Sequence, residues 1–103
     1  MTPSFHLFLP QMRMPHDAIV ERARAAEAAG FEGIAFMDHL APPLAFQHDM
    51  WEAMEIAGWV LAHTTTLRVG HLVLCDPLRH PAVLARQVTS LDHASDGRFE
   101  LGI

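Results

Sequence analysis

A single cysteine, Cys75, in 103 residues leaves no partner for an internal disulfide, which fits a reducing, cytoplasmic setting. Positive charge is also scarce: seven Lys and Arg residues face twelve Asp and Glu, for a formal net charge of -5. Without a basic cluster, the electrostatic footprint that nucleic acid or an anionic membrane surface demands is missing. No apolar run approaches the ~20 residues that span a bilayer. The stretch "FHLFLP" is too short for a signal-peptide core and lacks a basic flank and a small-residue cleavage site. No Gly-x-Gly-x-x-Gly follows the first apolar run, which removes the main support for a dinucleotide-binding open sheet. The eight histidines include no His-x-x-x-His pair on a helix and come with no cysteine cluster, so no metal site is expected.

What is present is apolar. Half of the residues are hydrophobic and the mean hydropathy is +0.15, high for a chain this small, whose surface must be covered with polar groups. Some apolar surface is therefore expected to meet a partner. Short apolar runs at 5–9 ("FHLFL"), 31–37 ("FEGIAFM"), 67–74 ("LRVGHLVL") and 99–103 ("FELGI") read as strands. Between them lie three helical stretches. The first is capped by Asp17 and stopped at Gly30, with Ile19, Ala23 and Ala26 on its buried face. The second opens on an Asp49–Glu52 capping box and carries Trp51, Met54, Gly58 and Leu61 on one stripe, with Trp59 on the same helix. The third starts at Pro81 and buries Leu84, Val88 and Leu91. The charged run Glu21, Arg22, Arg24 and Glu27 reads as a solvated helix face, and "SDGR" as a turn.

Strands and helices alternating every ~30 residues are the pattern of parallel β/α units joined by right-handed crossovers. The fold class is therefore α/β, built from parallel β/α units. Both an open doubly wound sheet and an eightfold barrel use such units, and a barrel runs to ~250 residues, so residues 1–103 would be the first half of a TIM-type (β/α)8 barrel, a single partial domain.

In either architecture functional groups gather where strands end and βα loops begin. That rule selects Gln11 after the first strand, Asp38 and His39 after the second, and Cys75 and Asp76 after the third. Each has a plainer reading: Asp38 can accept backbone donors in its loop, His39 can cover the strand end, and Cys75 can be a small buried residue. His6, His16, His48, His63, His80 and His93 read as surface, cap or loop residues, and His71 as a strand residue facing either side.

Several phrases resemble, in order, the N-terminal half of the bacterial luciferase-like family of flavin- and deazaflavin-dependent oxidoreductases: "FLPQ", "ERARAAEAAGFEGIAFMDHL" and "TTTLRVGHLVLCDPLRHPAVLARQVTSLDHASDGRFELGI". The most specific are the strand ending in Asp-His, the "RHPAVLARQ" helix opening and the "LDHASDGRFELGI" junction. The resemblance implies a barrel that binds the ring of a deazaflavin (coenzyme F-420) or FMN at its C-terminal mouth. It implies His39 as the catalytic ring-side acid and Asp38 as a cofactor contact. It also implies a bulge in "HLVLC" behind the ring with a non-prolyl cis peptide between Leu72 and Val73, and a polar cofactor contact at the position of Cys75, where relatives often carry threonine.

The expected function is thus that of a luciferase-like oxidoreductase or monooxygenase fragment, passing hydride or activating oxygen on a small-molecule substrate, with a slight lean to the deazaflavin branch. The loops expected to hold the cofactor phosphate lie in a missing C-terminal half, so the 103 residues alone are expected to be inactive and to associate as a homo-oligomer or with that half. Two alternatives remain open: a non-catalytic relative serving as an association or flavin-binding subunit, and another barrel enzyme using His39 on a sugar or phosphate.

Overall fold

The computed structural model describes residues 1–103. Each apolar run yields a strand and each amphipathic stretch a helix: β1 (His6–Phe8), α1 (His16–Ala28), β2 (Gly33–Phe36), α2 (Ala53–His63), β3 (Arg68–His71), α3 (Pro81–Ala94) and β4 (Phe99–Glu100), with one turn of 3-10 helix at Asp76–Leu78. All four strands are parallel and lie in the order β1-β2-β3-β4. His6 stands opposite Gly33, and Gly33 opposite Arg68.

The strand alternation decides between the two architectures. Leu7, Leu9, Ile34, Phe36, Val69 and Phe99 all point to one side, where they meet Ile19 and Ala23 of α1, Ile56 and Val60 of α2, and Leu84 of α3. A sequential strand order with every helix on one face is a barrel wall, whereas a doubly wound sheet reverses its order and carries helices on both faces. Full burial of side chains such as Phe36 and Ile56 contributes about 1.5–3 kcal/mol each. The opposite face carries His6, Phe8, Arg68 and Glu100; Arg68 pairs with Glu100, whose other carboxylate oxygen lies 3.5 Å from Nδ1 of His6. Glycines at 33 and 70 keep this face low, because a Cβ on Gly70 would come 2.5 Å from the backbone oxygen of Glu100.

Local chemistry sets several boundaries as expected. Gly30 adopts φ +89° beyond the end of α1, a conformation open to glycine at no steric cost. Pro81 opens α3, and the side chain of His80 accepts from the N–H of Ala82 at 3.2 Å. Leu84 is buried, with Val88 and Leu91 packed partly under it.

Other expectations are corrected. The strands are shorter than the apolar runs. Pro10 has no N–H to continue the β1 ladder, and beyond His71 the chain carries a cis peptide between Leu72 and Val73, where the family resemblance put it. Pairing resumes past it, with Leu74 N–H donating to the Gly102 carbonyl at 2.8 Å. Asp17 does not cap α1. Pro15 holds the extended N-cap position, and Asp17 sits in the first turn, where its charge favours the helix N-terminus.

The Asp49–Glu52 capping box is not formed either. Residues 49–51 are drawn to the β1–α1 loop: Met50 bridges Met12, Asp49 accepts from Arg13 N, Trp51 N donates to Gln11 O and the Trp51 indole donates to Met14 O at 2.7 Å. Glu52 is itself the N-cap, accepting from Glu55 N at 2.8 Å. Trp51 therefore lies outside the helix that carries Trp59. The charged run of α1 is more than a solvated face, since Arg24 donates to the carbonyl of His63 and Glu27 gathers the backbone N–H groups of Thr65, Thr66 and Leu67.

Candidate active site

At the C-terminal rim, Gln11 sets the end of β2. The last backbone bond between β1 and the β2 strand is Leu9 N–H to Ala35 O at 2.9 Å. Past Pro10 the Gln11 side-chain amide takes over the pairing. Its oxygen accepts from Met37 N at 3.0 Å, and its nitrogen donates to Met37 O and, at 3.3 Å, to Trp51 O. The side chain is completely buried. A primary amide offers a donor and an acceptor in the same plane, so it can pair with a strand residue as a backbone would.

One residue on, the Asp38 carboxylate turns across to the loop after β3. Its Oδ2 accepts from the N–H of Cys75 at 2.8 Å, and its Oδ1 accepts from Nη2 of Arg79 at 2.8 Å. The same guanidinium nitrogen donates to Oε1 of Glu52 at 2.9 Å. The Asp38 side chain is only 5% exposed and that of Arg79 12%, while Glu52 is half exposed. Burial alone would lower the Arg79 pKa, but the bonds to Glu52 and Asp38 and their charges outweigh it and hold the guanidinium above its ordinary range. A charge-assisted pair this far from water is stronger than a surface ion pair and costly to break from one side.

His39 follows directly and is exposed. Its imidazole takes no part in the hydrogen bonds that fix its neighbours. Asp38, adjacent in sequence, binds Cys75 and Arg79 and leaves the imidazole free. Cys75 is half-buried, and the contact it makes to Asp38 is through its backbone, not its thiol. Leu72 and Val73, joined by the cis peptide, expose 63% and 47% of their surface. They are anchored on either side by Leu72 N–H to Phe36 O and Leu74 N–H to Gly102 O, both at 2.8 Å.

The structure thus brings Asp38 together with the Cys75 backbone, sets Leu72 and Val73 as exposed apolar surface at the adjacent strand end, and leaves His39 as an unpaired imidazole on the same rim. It also brings in three groups that sequence reasoning did not place in the site. Arg79 and Glu52 are two; their signal is that a lone arginine before the helix-opening Pro81 and an acid ahead of α2 fall on loops of the same rim. The third is His71, whose Nε2 lies 2.8 Å from Ala53 O. A carbonyl only accepts, so Nε2 carries the proton and the buried Nδ1 is a bare acceptor without a partner. Burial pushes the His71 pKa down, against the bond to Ala53 and the charge of Asp38, which pull it up. The ring serves to pin the start of α2 to the end of β3.

The residues present fit a flat ring with a polar edge: two exposed aliphatic side chains for a face, a free imidazole, and a fixed, nearly buried carboxylate. A groove of ≈820 Å³ lies elsewhere, between α2 and α3 and lined by Met54, Trp59, Val83 and Leu91, so the rim is selected by its chemistry and not by its volume.

Comparison with known proteins agrees with this fold. Residues 3–103 match the pattern of the luciferase-like monooxygenase family. The chain is 34% identical over 89 residues to an F420-dependent glucose-6-phosphate dehydrogenase of Nakamurella multipartita, covering 82% of this chain and 25% of that protein. It is 29% identical over 85 residues to the alkanal monooxygenase alpha chain of Photorhabdus luminescens, covering 82% of this chain and 23% of the other. The chain therefore spans about a quarter of the length of these curated relatives. Among solved structures, an F420-dependent secondary alcohol dehydrogenase in complex with an F420-acetone adduct superposes with a TM-score of 0.87 at 22% identity, covering 98% of this chain and 31% of that one. The FMN-complexed oxygenating constituent of 3,6-diketocamphane monooxygenase from Pseudomonas putida superposes with a TM-score of 0.80 at 21% identity, covering 100% of this chain and 30% of that one. At these identities the structural likeness establishes the fold.

Proposed function

The chain belongs to the luciferase-like monooxygenase family, and on that premise we propose that its rim forms part of the ring site of an oxidoreductase that uses a deazaflavin or FMN, with His39 as the ring-side acid. The observation that carries this reading is that a free imidazole, an anchored carboxylate and the exposed Leu72–Val73 surface all lie at the ends of the adjacent strands β2 and β3. A curated relative that is F420-dependent and a structural neighbour in complex with FMN support the choice between these two cofactors. When bound, a deazaflavin supplies a hydride-carrying ring, and FMN supplies one that can also activate oxygen.

In this reading each residue has a defined task. Leu72 and Val73 offer an apolar wall for one ring face and exclude water from it. Asp38, held by Cys75 N–H and Arg79, presents a carboxylate fixed in direction. His39 holds or releases a proton at the ring edge, a role suited to an imidazole whose ordinary pKa is about 6.5. Cys75 contributes its N–H to Asp38, and its free, half-buried thiol would be a further group able to contact a bound ring.

The test is direct titration, with coenzyme F420 and with FMN, of an enzyme that contains this rim together with the further β/α units of a complete barrel, followed by cofactor fluorescence, for the unaltered protein and for Leu72→Asp. Saturable binding of one cofactor, weakened at least ~10-fold by a charge on the proposed wall, is the expected result. A fluorescence signal that neither cofactor changes, or binding indifferent to Leu72→Asp, removes the rim from the ring site.

A further inference from the structure

His39 reaches the rim with no hydrogen bond to its side chain, so its position is inherited from the backbone that carries it. That backbone has one side-chain anchor next to the imidazole, Asp38, and both oxygens of Asp38 are taken by the loop after β3. Cys75 supplies a backbone N–H, which cannot neutralise charge. Arg79 supplies the only cation. Its Nη2 binds Asp38 and Glu52 at once, at 2.8 and 2.9 Å, so the end of β2, the β3–α3 connection and the N-cap of α2 converge on a single nitrogen. Arg79 is itself fixed by its own backbone, whose N–H closes the 3-10 turn on Asp76 O at 2.9 Å.

We propose that Arg79 is a positioning residue for His39, acting through Asp38. This rests on the reading of His39 as the ring-side acid given above. With the guanidinium in place, Asp38 is pinned to the β3–α3 loop and the next residue leaves the strand in one direction. Without it, two carboxylates that met on one nitrogen face each other uncompensated, and Asp38 retains only the Cys75 N–H. Like charges brought this close repel, and the economical escape is for the Asp38–His39 segment to swing toward solvent. The aim of the imidazole is then lost while the helices and strands remain.

The test follows the Hε1–Cε1 resonance of His39 by NMR in the 13C-histidine-labelled chain, assigned with His39→Ala, and needs no cofactor. In the unaltered chain the resonance is expected at a shift distinct from that of a flexible histidine. Arg79→Gln and Asp38→Asn should each move it toward the flexible value, the double variant should move it no further than either single one, and Arg79→Lys, which restores one cationic donor, should return it most of the way. A merely structural clamp would lower the melting temperature in Arg79→Gln and leave the His39 shift of the folded chain unchanged, and that outcome overturns the proposal. Should Arg79→Gln fail to fold, Asp38→Asn decides instead, because an amide keeps the shape but has a single oxygen for the two donors, Cys75 N–H and Arg79, so the anchor is lost without any like-charge repulsion. In a chain that binds deazaflavin, Arg79→Gln is also expected to weaken binding roughly 10-fold or more, as misplacement of a positioned group does. If no cofactor binds, the function proposed above fails while the NMR result still stands or falls alone.

Discussion

A glutamine side chain standing in for a strand gives the sharpest test at the scale of single residues. Gln11 serves both the N–H and the carbonyl of Met37 in a fully buried setting, and nothing else is placed to replace it. Gln11→Ala leaves two backbone groups unpaired, each costing about 1–3 kcal/mol; a loss of roughly 2–4 kcal/mol in urea unfolding is expected. A change below ~0.5 kcal/mol, the range of an ordinary surface substitution, would show that Met37 finds other partners. His39 makes the opposite case. Exposed and unbonded, it should be replaceable by alanine with a stability change within ~0.5 kcal/mol. In an enzyme that contains this rim, turnover should fall by ~100-fold or more if the imidazole is the general acid. Native turnover in His39→Ala, measured beside an unaltered melting curve, would make it a loop residue and nothing more. The two residues also differ in how far sequence reveals them. Asp38 and His39 stand out because an acid and an imidazole at the end of an apolar run are visible locally. The partner that fixes Asp38 is Arg79, 41 positions away, and no local pattern joins them.

Elements were legible where their boundaries are set by neighbours in sequence, as at Gly30 and Pro81, and misread where a distant group intervenes. The Asp49–Glu52 spacing satisfies a capping box, yet the bridge from Met50 to Met12 and the bond from Trp51 to Gln11 claim those residues first. The same holds at the end of α1. Glu27 looks like one more surface charge, but its Oε1 accepts from the N–H groups of Thr65, Thr66 and Leu67 and from the Thr66 hydroxyl, tying α1 to the entrance of β3. Burial would raise the Glu27 pKa, but the backbone bonds from Thr66, Leu67 and Thr65 outweigh it and hold the carboxyl below its ordinary 4.5. A carboxyl depressed on folding adds stability that is complete above its unfolded pKa and is lost as pH falls through the folded one. Thermal melts from pH 7 to pH 3 should therefore show Glu27→Gln about 1–2 kcal/mol less stable near neutrality, the usual worth of a carboxylate serving several backbone donors. The gap should close as pH drops below ~4.5. Parallel curves across the whole range would mean that the charge of Glu27 contributes nothing beyond its shape. His71, also depressed by burial, acts in a higher window: its share of stability begins to be lost as pH falls below its ordinary 6.5, because the unfolded chain takes up the proton first.

At the scale of the whole molecule, one face of the sheet is sealed by three helices and the other is not. Phe8, Leu72 and Leu101 keep 43%, 63% and 48% of their surface exposed, and β1 and β4 each have a neighbour on one side only. Unpaired strand edges invite further pairing, and apolar surface gains about 25 cal/mol per Å² on leaving water. The polar cluster of His6, Arg68 and Glu100 shares this face. It marks the face as one whose charges are already paired among themselves and need little from a partner. Part of the high apolar content of the sequence is thereby located on the open side of a barrel wall. No helix is long and apolar enough to cross a membrane, so a bilayer-spanning helix does not account for it. The expected behaviour of the 103-residue chain in solution is association through this face or the sheet edges, either with itself or with further β/α units supplied in trans. Sedimentation velocity across a hundredfold range of concentration should show species of at least dimer mass, with Phe8→Glu shifting the equilibrium toward monomer, because a buried unpaired charge is disfavoured at such a contact. A concentration-independent monomer that unfolds cooperatively would show instead that the helix-free face is stable in water, and that four β/α strands and three helices suffice as a closed domain.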